Sequence, residues 1–360
     1  MLLTCQTGFE SLLARELREV HGLAPVETGP GWVRVAPGSD SAAGESSARA
    51  TGASRPQHAR TGGAMSDFAF AHLALLAPLE VRGTSVNALA ARVGEFFVGS
   101  LQGEPVTAAW PCVWLGPLET VGLSRRIAAV EDEFARSLRR RLARVARLAT
   151  PGLPRGGSVA RGLFVFFSDF GRAWVAREAV GYGQRRMADD AQAPSRSYLK
   201  IEEAYGVLDR EPQAGETVCD LGAAPGGWSY SAAKRGARVV AVDNGPLKSG
   251  ARYHPHLEHR REDAFGFHPP AGGAFDWLFC DLVEEPHHVL RNIVAPWLER
   301  GWCRRFVVNL KFGRVDPIAL LQTLRAPDSP LIRHAPGARI RHLYHDREEF
   351  TVVGEVEERG

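Results

Sequence analysis

The sequence predicts an α/β protein: a doubly wound, mainly parallel sheet over residues 189–360 that ends in an antiparallel hairpin, preceded by an α+β half. Three observations point there. Short apolar, β-branched runs at Glu216–Leu221, Ala237–Val242, Phe275–Asp281 and Phe306–Lys311 alternate with helical spacing, as parallel strands joined by crossover helices do. A glycine-rich turn, Asp220-Leu221-Gly222-Ala223-Ala224-Pro225-Gly226-Gly227-Trp228, follows the first of these runs and opens a helical pattern. Arg341–Val353 reads as strand, tight turn at His345-Asp346, and strand.

A chain of 360 residues with 44% hydrophobic and 24% charged residues is globular, and its length favours two domains over one. No apolar run reaches the ~18–20 residues that span a bilayer, and Thr4 and Glu10 interrupt the N-terminus too early for a signal peptide. A cytoplasmic protein without membrane contact is expected. The five cysteines are odd in number and form no C-x-x-C pair, which argues against a disulfide framework and against a metal site. Of the 44 basic residues only Lys200, Lys234, Lys248 and Lys311 are lysine. Arginine carries charge equally well but cannot release its proton near neutral pH, so each remaining lysine is a candidate for proton chemistry.

In chain order, Leu12, Leu13, Leu17 and Val20 follow helical spacing and Trp32–Val35 alternates as a short strand, giving a small α+β unit over 1–37 and 67–100. Residues 38–66, rich in Gly, Ser, Ala and Arg, offer almost nothing to bury and read as a flexible insertion. A second unit, 101–188, holds a long amphipathic helix at 124–148 with Ser124 as its N-cap and Ile127, Val130, Phe134, Leu138, Leu142 and Val145 as its apolar stripe. Arg125, Arg126, Arg136, Arg139, Arg140, Arg141, Arg144 and Arg147 outnumber Glu131, Asp132 and Glu133 on it. The run Gly162–Phe167 reads as a buried strand, and Arg172, Arg177, Arg185 and Arg186 extend the basic character. Such a basic N-terminal half fits a polyanionic partner; a solvated helix face is the plainer reading of the same arginines.

The glycine-rich turn lacks the G-x-G-x-x-G spacing that admits a pyrophosphate. Acids surround it instead. Asp220 precedes the turn, Asp243 ends the next strand where a carboxylate can hold two ribose hydroxyls, and Asp263 can accept from an exocyclic amine. An adenosine carrying a cation fits these acids, and S-adenosylmethionine is such a molecule. Lys311 ends an apolar strand and Lys200 enters a helix just upstream of the turn, so the two are candidates to flank one site.

The D-L-G-A-x-P-G-G-W string resembles the cofactor motif of FtsJ-like ribose 2′-O-methyltransferases. Together with APSRSYLKIEEAY (193–205), VDNGPL (242–247), CDLVEEP (280–286), GWCRRFVVNLK (301–311) and LYHDREEFTV (343–352), it makes the last 170 residues similar to the RlmM family, the bacterial 23S ribosomal RNA cytidine 2′-O-methyltransferases. The start LLTCQTGFE resembles the same family more loosely. The resemblance implies a Rossmann-like class I methyltransferase domain, an upstream ferredoxin-like piece with a THUMP-type RNA-binding region, S-adenosylmethionine as cofactor and ribosomal RNA as partner. It further implies a Lys-Asp-Lys-Glu tetrad, whose members fall on Lys200, Asp281, Lys311 and either Glu348 or Glu349. Glu349 is preferred because it immediately precedes the apolar run Phe350–Val353.

A ribose hydroxyl is a poor nucleophile and needs a base beside it. Lys311 is assigned that role, Asp281 would hold Lys311 and the cofactor's methionine amine, and Lys200 would depress Lys311 by like charge and orient the ribose. Matching positions imply cofactor contacts at Ser197, Asp220, Gly222, Ala224, Pro225, Gly226, Gly227, Trp228, Asp243, Asp263 and Asp281. Plainer readings stand beside these: Asp281 as the N-cap of a helix starting near Glu284, Trp228 as a packing residue, His345 as a turn residue, and Cys219 and Cys280 as small core residues. Three other functions compete, an RNA base methyltransferase, a small-molecule methyltransferase and a non-catalytic RNA-binding module that retains a cofactor fold. The first would want a catalytic cysteine or an N/D-P-P-aromatic string where this chain has Asp281-Leu282-Val283-Glu284, the second would share the cofactor turn but not need the long basic upstream half, and the third would lose the lysines.

Overall fold

The computed structural model describes residues 1–36, 67–154 and 157–357, so the expected insertion at 38–66 lies outside the described residues. Two sheets organise the chain. The first takes β1 (Leu2–Thr4), β2 (Pro25–Gly29), β3 (Trp32–Val35), β4 (Leu73–Leu76), β5 (Leu79–Arg82), β6 (Trp110–Leu115), β7 (Ala149–Thr150), β8 (Val159–Asp169) and β9 (Arg172–Gly181). They run in the order β2-β3-β1-β4-β9-β8-β6-β7, with β5 also on β9, so one sheet carries both halves of the N-terminal region.

The second sheet contains β10 (Thr217–Leu221), β11 (Arg238–Val242), β12 (Leu257–Arg260), β13 (Phe275–Cys280), β14 (Cys303–Lys311), β15 (Arg339–Arg341) and β16 (Glu349–Glu355). Its order is β12-β11-β10-β13-β14-β16-β15; the first five strands are parallel, and β16 pairs antiparallel with both β14 and β15. This is the doubly wound sheet with a terminal antiparallel hairpin. The alternation of its strands explains why both faces are covered. Val218, Trp277, Phe279 and Val307 point to one core with Ile201, Tyr205 and Trp228 of the helices on that side. Their neighbours Cys219, Leu278, Cys280, Phe306 and Val308 point to the other, against Ile293, Trp297 and Leu320. That second core continues into Leu13, Leu17, Phe68 and Phe70, so the N-terminal region packs directly on the second sheet.

Three local expectations change. Helix Leu123–Arg141 starts one residue before Ser124, on Gly122 in the left-handed region, and no side chain caps it. It breaks at Leu142 instead of running to 148, and the short helix Ala143–Arg147 turns back so that Val145 and Leu148 carbonyls accept from the Trp110 indole and backbone N–H. The hairpin is looser than a tight turn at His345-Asp346: β15 already ends at Arg341, and 342–348 form a loop. Carboxylates take the place of ladder bonds there. Leu343 N donates to Asp346 Oδ2, and Tyr344 N and His345 N donate to the buried Glu203 of helix Tyr198–Leu208.

Candidate active site

The parallel strands β10, β11 and β13 bring their carboxyl ends to one cleft of about 400 Å³. Gly222, Ala224, Asp243, Asp263 and Asp281 all line it, together with Glu262 and Glu284, and among the described residues no lysine or arginine does. Two glycines are required by the turn itself. Gly222 has φ +79° and a Cβ there would sit 2.7 Å from Leu282 Cδ2; Gly226 has φ +108° and a Cβ would meet Ala251 Cβ at 2.5 Å. Asp243 anchors the turn, its Oδ2 accepting from Ala224 N (2.9 Å) and its Oδ1 from Gly245 N (2.7 Å). Asp263 Oδ1 accepts from Phe265 N.

Other motif residues support the cleft from behind. Asp220 is 1% exposed and accepts from Ser229 Oγ, and burial pushes its carboxyl up to about 7. Trp228 is core, edge-on to Phe279, and its indole N–H holds the Ser197 carbonyl. Pro225, Gly226 and Gly227 carry the chain from the turn into helix Gly227–Ala233. His345 Nε2 accepts from Met187 N, and the five cysteines are free thiols.

At the end of β14 the antiparallel register sets Lys311 directly opposite Glu349 and Asn309 opposite Thr351. Lys311 Nζ donates to Asp281 Oδ1 at 2.6 Å and to Glu349 Oε2 at 3.3 Å. Lys200 Nζ donates to the other oxygen of Glu349. Lys200, Asp281, Lys311 and Glu349 are thus one connected cluster, reached from four separate elements. Of the two adjacent glutamates, Glu349 is 5% exposed and carries these ion pairs, whereas Glu348 faces outward. Asp281 also accepts from Ser197 Oγ (2.9 Å) and Asn309 Nδ2 (3.1 Å), and the helix that follows it is capped by Glu285.

Charge in this cluster is balanced by proximity. Burial favours the neutral form of Lys311, but Asp281 and Glu349 outweigh it and hold the ammonium above the usual lysine value. Burial likewise works to raise Glu349, and Lys200 and Lys311 overcome it and keep the carboxylate below its usual range. The two lysines meet through Glu349 and not face to face, so Lys200 neutralises that carboxylate more than it repels Lys311. Sequence reasoning missed Asn309, Thr351 and Asp346. The signal available was a polar residue of the right parity inside an apolar strand, Asn309 two before Lys311 and Thr351 two after Glu349.

Residues 193–295 match the model of the FtsJ-like methyltransferase family. A protein of Halorhodospira halophila named "Ribosomal RNA large subunit methyltransferase M" is 35% identical over 273 residues, 73% of this chain and 79% of that one. Proteins of the same name from Alkalilimnicola ehrlichii and a Marinomonas species are 40% and 41% identical over 235 and 191 residues. Those two matches span 63% and 53% of the relatives' own length. With this cleft, this cluster and a relative covered over more than three quarters of its length, the chain belongs to the ribosomal RNA large subunit methyltransferase M family and carries an FtsJ-like domain.

Proposed function

We propose that this protein transfers a methyl group from S-adenosylmethionine to a ribose 2′-hydroxyl of ribosomal RNA, a cytidine of the 23S molecule, with Lys311 as general base. The observation that carries the reading is the Lys311–Asp281–Glu349–Lys200 cluster at the rim of a cleft lined by acids and, among the described residues, free of basic side chains. A cationic, adenosine-bearing cofactor suits that donor set; a pyrophosphate does not. Asp243 would hold the ribose, Asp263 the base edge, and Asp281 the amine. When bound, the cofactor supplies an electrophilic methyl on a sulfonium centre.

The chain's own part is proton handling. Lys311 Nζ takes the hydroxyl proton, and Lys200 and Glu349 keep the sugar and the amine in register. Positive charge delivered to Asp281 weakens its hold on the ammonium, and Glu349 is already shared with Lys200, so Lys311 moves toward the neutral amine a base requires. The basic N-terminal half is read as the RNA-binding, THUMP-type region of the same enzyme, with the cytoplasm as its compartment. Of the rivals, base methylation lacks a matching nucleophile arrangement in this cluster, and a non-catalytic module gives no reason for two half-buried lysines paired with Asp281 and Glu349.

The test is to incubate the protein with ribosomal RNA and methyl-labelled S-adenosylmethionine and then treat the RNA with alkali. An alkali-resistant labelled linkage is expected, and a sensitive one would mean base methylation. Lys311→Ala and Lys311→Arg are both expected to abolish transfer while cofactor affinity stays within about tenfold, or ~1.4 kcal/mol. Turnover retained by the arginine variant would remove Lys311 as the base.

A further inference from the structure

Thr351 stands between two acceptors that it cannot serve together. Its Oγ1 lies 2.7 Å from Asn309 Oδ1, 2.9 Å from Asp346 Oδ2 and 3.2 Å from Asp346 Oδ1, and all three side chains are buried. A hydroxyl has one proton to give. The orientation of Asn309 is fixed from its other side, because its Nδ2 donates to Asp281 Oδ1, the same oxygen that takes the Lys311 ammonium. Turning the amide over would press a carbonyl oxygen against that carboxylate. Asn309 Oδ1 therefore faces Thr351, and two oxygens 2.7 Å apart need a hydrogen between them, which only Thr351 can supply. Thr351 Oγ1 is left accepting, and Asp346 is the side chain in reach to donate.

We propose that Asp346 is a neutral carboxylic acid in the folded protein and a positioning residue for the reaction: it donates to Thr351, Thr351 to Asn309, and Asn309 to the Asp281 oxygen that holds Lys311. The role in catalysis rests on the function proposed above; the protonation of Asp346 does not. Burial pushes this carboxyl from the ordinary 3.8 up to about 8. The charges that face it are Glu349 on β16, which adds to the rise, Lys200 on helix Tyr198–Leu208, which opposes it, and Glu203 on that helix, whose own carboxyl burial pushes up to about 8. Since Asp346 Oδ2 also accepts from Leu343 N, the chain of bonds ties the 342–348 loop to the aim of Asp281.

Melting wild type and Asp346→Asn from pH 5 to pH 8 tests the protonation. An acid that is neutral when folded and ionised when unfolded binds more protons in the folded state between its two pKa values, so wild type loses stability as pH rises from about 4 to about 8. Asparagine is neutral in both states. The Tm difference is expected to shift steadily in favour of Asp346→Asn toward pH 8; a difference that stays flat would overturn the neutral acid. Thr351 tests the relay and decides alone if Asp346→Asn does not fold. Thr351→Val is expected to lower kcat about tenfold or more with the cofactor Kd within threefold, and Thr351→Ser to restore it. A Thr351→Val enzyme as fast as wild type would overturn the relay, while wild-type protein that methylates nothing would sink the proposed function and leave the melting result standing.

Discussion

Around the Lys311 amine, burial favours the neutral form and two carboxylates favour the charged one, and the carboxylates prevail. The pH dependence of kcat/KM reports the free enzyme, where this contest is settled for the ammonium. A base whose pKa lies above the usual 10.5 is almost wholly protonated at neutral pH, so kcat/KM is expected to rise about tenfold per pH unit between pH 6 and pH 8. Initial rates at low substrate would show it, and a plateau in that window would mean that Lys311 is already neutral in the free protein. At this scale the sequence displayed Lys200, Asp281 and Lys311, because four lysines among forty-four basic residues single themselves out and the flanking motifs match a family. Glu349 followed from the apolar run after it. The bonds from Asn309 to Thr351 and Asp346 were not legible, since they depend on which residue of β14 faces which residue of β16, a long-range register that no local pattern encodes.

Helix Leu123–Arg141 buries Leu123, Ile127, Val130, Phe134 and Leu138 and leaves Arg139, Arg140 and Arg141 exposed at its C-terminal end. Glu133 pairs with Arg136 and Arg140, so part of the basic face is internally compensated and the excess lies in the last turn. Every phosphate that the protein ceases to neutralise reduces the slope of log K against log salt by roughly 0.7–0.9. Replacing Arg139, Arg140 and Arg141 together by glutamine is therefore expected to weaken RNA binding and to flatten that slope by about two, with little change in melting temperature because the side chains are exposed. Filter binding from low to high salt would measure it, and an unchanged slope would turn this helix away from the RNA. The apolar stripe made the element readable. Its break at Leu142 was not, because the cause is the Trp110 indole and backbone N–H, partners that belong to β6. The same distinction separates the central parallel strands, whose buried runs announce them, from edge strand β12, where Leu-Glu-His-Arg has no apolar alternation to read.

Across the whole molecule the two sheets share one core. Phe70 from the N-terminal region packs 5.1 Å from Phe350 and 6.2 Å from Phe312, ring centre to ring centre, immediately beside the strands that carry Lys311 and Glu349. Polar contacts cross the same boundary. The buried Arg341 of β15 donates to the carbonyls of Tyr182 and Phe68 and to Asp67, and Arg15 Nη1 donates to Asp316 Oδ2 at 2.8 Å. A boundary sealed by continuous apolar packing and crossed by buried hydrogen bonds should not open separately, so wild type is expected to unfold in urea in one transition, with tryptophan fluorescence and circular dichroism coincident. Arg341→Ala strands the buried carbonyls of Tyr182 and Phe68 that it served, at about 1–3 kcal/mol for an acceptor left unsatisfied, while the half-exposed Asp67 can turn to water. Its urea midpoint should fall accordingly. Because β15 pairs with β16, methyl transfer should fall with it at temperatures where the protein remains folded. If the variant melted as wild type does, Arg341 would be a passive occupant of the boundary, and the coupling between the N-terminal region and the site would rest on its other contacts, the Phe70 packing among them.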